Sequence, residues 1–156
     1  MIFIICWLLG LIVGIITTLL DPSIRDLISI SNNLLFYQLT VTVSLTNIVG
    51  FAGHVFKSDQ VAESIGWGKG SFFQKELGFA ELGYGIAGLM CIWFKGYFWL
   101  ATIITLVPLY IGAALVHIKE VKKNNNFNPG NVISIAPDFL IPISLIVLSI
   151  LSGIWK

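Results

Sequence analysis

Charge is scarce in this sequence. Nine Lys and Arg and eight Asp and Glu make up 11% of it, where a soluble protein carries about 25%. With a formal net charge of +1 and no basic block, nucleic acid is not an expected partner. Cysteine is scarce as well. Cys6 and Cys91 each sit alone in an apolar run with no Cys-x-x-Cys spacing, and the spans below place them near opposite membrane faces, too far apart for a disulfide. Alternation with period two is missing, which argues against a β-barrel, and no solenoid repeat recurs. The glycines at 66, 68 and 70 lack the Lys-Ser/Thr ending and the preceding strand of a phosphate-binding loop.

What the chain has instead is long apolar runs, with 56% of its residues hydrophobic. A helix of about 18 or more such residues crosses the ~30 Å hydrocarbon layer. The runs predict an all-α, polytopic transmembrane helical bundle, one domain over residues 1–156. Its five expected spans are 2–20, 34–56, 72–93, 97–118 and 138–155. The lipid bilayer is therefore the first partner. A homo-oligomer, or an assembly with other membrane subunits, is the second.

Span one has no Lys or Arg before it and Asp21-Pro22 after it, so it reads as a retained helix rather than a signal peptide. Its Gly10 and Gly14 form a G-x-x-x-G pair open to close helix approach. The connector up to Asn33 predicts a short interfacial turn. Span two carries a polar stripe, Thr40, Ser44, Asn47, Gly50 and His54, on one helix face. Such groups need partners in lipid, so the stripe faces the interior, as an interhelical seam or as the lining of a path.

The loop from Lys57 to Gly70 predicts a short helix with Asp59 as its N-cap, then Trp67 at the membrane interface. Ser71 and Gln74 have capping-box spacing at the start of span three. Beyond them Gln74, Gly78, Glu81, Gly85 and Gly88 share one face, and Glu76, Ala80, Gly83 and Ala87 an adjacent one. Phe94-Lys95-Gly96 is a tight turn, and Lys119 to Asn131 reads as a solvent loop.

Five spans bring Lys57, Lys69, Lys75, Lys119, Lys122 and Lys123 to the side of the N-terminus, against Arg25, Lys95 and Lys156 on the other. This predicts a cytoplasmic N-terminus. His54, Glu76, His117 and Asp138 then lie toward one membrane face, with Glu81 just below them. With Asn47, Trp67 and Tyr110 they form the candidate site, either a structural polar cluster or a ligand-binding one. Three functional readings compete with interhelical locking: a quinone or similar amphiphile at the membrane edge, proton-linked transport through Glu81 and Glu76, and a metal or haem held by His54 and His117. No catalytic residue, metal ligand or cofactor is assigned, and nothing in the sequence calls for an enzyme.

Gly53-His54-Val-Phe, Asp59-Gln-Val-Ala-Glu-Ser-Ile-Gly66-Trp67, Gly70-Ser71, Phe73-Gln74, Glu76, Gly83, Cys91-Ile-Trp93-Phe, Phe98-Trp99-Leu-Ala-Thr102, Gly112-Ala-Ala, His117-Ile and Asn128-Pro129-Gly130-Asn131 resemble the domain of unknown function 6790 family of small prokaryotic membrane proteins. The likeness covers most of the chain after span one. It implies fold and location and no activity. The chain departs from that pattern at Gly68 and Phe72, where proline is expected, and at Glu81, where asparagine is. More distantly, Gly78-Phe-Ala-Glu81-Leu-x-x-Gly85 is similar to the third helix of DoxX-like proteins, which implies quinone or thiol redox partners.

Overall fold

The computed structural model describes residues 1–156 and is all helical, with no strand. Six helices follow one another: α1 (Ile2–Leu20), α2 (Leu27–Phe56), α3 (Ser58–Ile65), α4 (Phe72–Met90), α5 (Tyr97–Asn124) and α6 (Pro129–Leu151). Four of them, α1, α2, α5 and α6, are long and apolar enough to cross a membrane. The fifth expected span is α4. It has 19 residues, but Lys75, Glu76 and Glu81 leave it short of the apolarity of the other four.

Several boundaries differ from expectation, each for a local reason. Helix α2 begins at Leu27, not 34, because Asp26 caps it. The Asp26 carboxylate accepts from the backbone N–H groups of Ile28 and Ser29 while the Ser29 hydroxyl bonds the Asp26 N–H. Those bonds, led by the Ser29 N–H, hold the Asp26 carboxyl below its ordinary range. Helix α5 runs on to Asn124 and α6 starts at Pro129, so the expected 119–131 loop shrinks to four residues. Pro129 fits the first turn of α6, where its missing N–H costs nothing. Asp59 lies inside α3 rather than capping it, and its carboxylate accepts from the Gly70 N–H at 2.9 Å. Ser71 is the N-cap of α4 but makes no side-chain cap, so the Ser71–Gln74 box does not form.

Within α2, residues Gln38–Val43 wind as a π-helix. Its surface is where neighbouring helices close in. Gln38 Nε2 donates to the Trp7 carbonyl of α1 and Thr42 Oγ1 to that of Cys6. Gly10 permits this approach, since a Cβ there would collide with the Thr42 side chain. Farther along, Asn33 Nδ2 donates to the Gly14 carbonyl and to both Thr17 and Thr18 hydroxyls. The apolar core joins Leu35, Leu39 and Val43 of α2 to Trp99, Ile103, Leu106 and Tyr110 of α5 and Ile141 and Leu145 of α6. Cys6 and Cys91 are free thiols, both buried.

The second half of α2 packs antiparallel along α4. The buried residues of α4 are Gln74, Gly78, Glu81, Gly85 and Gly88. A Cβ at Gly88 would sit 2.8 Å from the Leu39 carbonyl and one at Gly85 2.9 Å from Ile48. Gly83 has open space around it. Gly88→Ala is therefore expected to lower stability by about 1–3 kcal/mol through overpacking. Gly83→Ala should leave it unchanged or raise it by about 0.5–1 kcal/mol through helix propensity. Thermal unfolding of the purified protein compares the two.

Candidate functional site

Two polar pairs form toward the end of the bundle where α3 lies. The first joins α2 to α4. His54 Nδ1 is 2.6 Å from Glu81 Oε2, and the two side chains are 16% and 12% exposed. Gly50, one helical turn before His54, sits directly against the carboxylate: a Cβ there would come within 2.6 Å of Glu81 Oε1. The glycine face of α4 thus lets the helices approach, and a glycine on α2 makes the recess the carboxylate fills. Buried charge needs this enclosure and a hydrogen-bonded partner at once. Glu76, expected in the same cluster, is exposed and reaches neither histidine; it lies on the outer face of α4.

The second pair joins α5 to α6. His117 Nδ1 donates to Asn131 Oδ1 at 2.7 Å, and His117 Nε2 faces Asp138 Oδ2 at 3.9 Å. That distance is a charge contact, too long for a direct hydrogen bond. Asn131 is fully buried, and its amide donates onward to the carbonyls of His117 and Asn126. Asn126 Nδ2 in turn donates to the Ile65 carbonyl at the end of α3. Gly130 lies so close to the Ser64 carbonyl that no Cβ fits. A short polar loop, expected to be in solvent, is in fact the clasp that ties α3, α5 and α6 together.

Trp67 follows α3 and stacks on His117, with ring centroids 5.3 Å apart. It reaches this position because Gly66 ends α3 in the left-handed conformation, at φ 72°. Tyr110 is buried on α5 in the apolar core, and Asn47, buried on α2, donates to the Val43 carbonyl. Of the predicted site residues, the structure thus pairs His54 with Glu81 and His117 with Asp138, sets Trp67 on His117, buries Asn47 and Tyr110, and leaves Glu76 on the outer face of α4. Thr40, Ser44, Asn47 and Gly50 of the stripe are all buried. No three His, Cys, Asp or Glu side chains converge as a metal centre would need.

Sequence reasoning passed over three residues. Asn126 and Asn131 looked like loop residues, and only the fold shows that their amides are spent on backbone carbonyls. Gln74 was assigned to a cap. It instead lines an open cleft of about 480 Å³ together with Trp67, Ser71, Phe73, Leu77 and Glu120. Asn131→Ala should cost about 1–3 kcal/mol, since it leaves the buried His117 Nδ1 without its acceptor. Hydrogen exchange should then rise first at 125–131 and in α3, the segments the clasp holds.

No curated protein and no solved structure matches the chain. The resemblance to DoxX-like proteins thus has no counterpart among the matches. The model of the Family of unknown function (DUF6790) matches residues 1–154. That match takes in the clasp, both histidine pairs and all six helices but the last residues of the chain, and the protein belongs to the DUF6790 family.

Proposed function

We propose that this chain is a multi-pass membrane protein that works as a small helical scaffold or accessory subunit. Its two histidine–carboxylate pairs serve as interhelical locks. The observation that carries this is the His54–Glu81 contact: 2.6 Å long, mostly enclosed, with Gly50 closed over the carboxylate. A proton-carrying Glu81 is the lesser reading, because the group is held against a neighbouring helix. The lock also explains how α4 crosses the bilayer as a fifth pass. Its one deep carboxylate is neutralised by a partner on α2, and the rest of its buried face is glycine and glutamine. The lysine-rich end, with the N-terminus, then faces the cytoplasm.

Two measurements test this. In a double-mutant cycle, His54→Ala and Glu81→Ala should each cost about 3 kcal/mol by leaving a buried partner alone. The double variant should fall short of their sum by more than about 1 kcal/mol. Strict additivity would remove the lock. For the fifth pass, a cysteine at Lys95 should react with a membrane-impermeant thiol reagent in intact cells, and one at Lys57 only after the membrane is opened. The same behaviour at both positions would leave α4 uncrossed.

A further inference from the structure

The cleft beside Trp67 is separate from both locks: none of His54, Glu81, His117 or Asp138 lines it. Its walls are chemically uneven. Trp67 Nε1 is a buried donor without an acceptor, and Gln74 Oε1 a buried acceptor without a donor. Each such group costs about 1–3 kcal/mol when left unmatched. Two of them, of opposite kind, belong to residues of the same cleft. The remaining polar groups are the Ser71 hydroxyl and the Glu120 carboxylate, and no Lys or Arg is among the lining residues. Phe73 and Leu77 supply an apolar wall, and Phe73 is 79% exposed. Aromatic rings that open on the outer surface of a membrane protein lie against lipid.

We infer that this cleft binds the uncharged, hydroxyl-bearing head of a lipid-borne amphiphile. One hydroxyl accepts from the Trp67 indole N–H and donates to Gln74 Oε1. A second donates to the Glu120 carboxylate. The tail leaves over Phe73 into the bilayer. An anionic head is disfavoured because the Glu120 carboxylate is the one charged group among the lining residues. Both unmatched atoms are closed to water, so the head enters as the Trp67 or Gln74 side chain shifts. Trp67 is also stacked on His117, which ties occupancy of the cleft to the clasp between α5 and α6.

The test uses the full chain in phosphatidylcholine nanodiscs. The probes are 1-monooleoylglycerol and 1-oleoyl-lysophosphatidic acid, which share a tail and a glycerol and differ by a phosphate. Native mass spectrometry of the released protein counts what is retained. The neutral probe should bind at least about tenfold more tightly than the phosphate, and Trp67→Phe and Gln74→Leu should each lower its affinity by about tenfold, one hydrogen bond's worth. Free glycerol at the same concentration should not be retained. Equal or greater retention of the phosphate would overturn the inference on the wild-type protein alone, whatever the variants do. Unchanged affinity in both folded variants would overturn it too, and binding of glycerol alone would overturn the lipid-borne source. None of these outcomes bears on the His54–Glu81 cycle, so the cleft and the lock stand or fall separately.

Discussion

A carboxylate placed within so apolar a bundle has to be answered by another group, and the answer given to Glu81 organises half the molecule. The partner is His54, on the neighbouring helix. For the two to meet at 2.6 Å the helices must lie closer than ordinary side chains permit. Gly50 on α2 and Gly78, Gly85 and Gly88 on α4 remove the obstructing atoms. In lipid, where tails are as apolar as leucine, such close packing and polar pairing are what hold helices together. The most polar long helix is thus fixed along the second half of α2.

The other half of the fold depends on amides rather than charges. Asn131 donates to the carbonyls of His117 inside α5 and Asn126 in the loop, and Asn126 donates to that of Ile65 at the end of α3. In doing so they set the hand-over from α5 to α6 and hold the small α3 helix against it. His117 belongs to this network through Asn131 and carries Trp67 on its ring. Tyr110 is buried in the apolar core that α2, α5 and α6 share.

Much of this arrangement could be read in the residue order. The interior face of α4 is the run of small and polar residues spaced by threes and fours, and α1 has its expected limits. The short connection after α4 leads into α5, whose main neighbour is α6. Helix ends were less legible, because Asn, Asp and Ser mark solvent and helix caps alike until their partners are known. Asp26 starts a helix where a turn was expected, and Asn131 sits inside one where a loop was expected. The choice between Glu76 and Glu81 as the partner of His54 follows from which face of α4 carries the glycines. The π-helical stretch had no signature in the sequence, since its cause lies in the neighbouring helices.

That stretch, Gln38–Val43, bears on how the two ends of α2 are aligned. A π turn accommodates one residue more than an α turn before the chain regains its direction. The extra residue is absorbed there, so Asn33 keeps its place on α1 while His54 keeps its place on α4. Wound as plain α-helix at the same length, everything past the stretch would swing by about 100° and carry Gly50 and His54 out to lipid. A chain one residue shorter at this point would hold both contacts with no π turn at all.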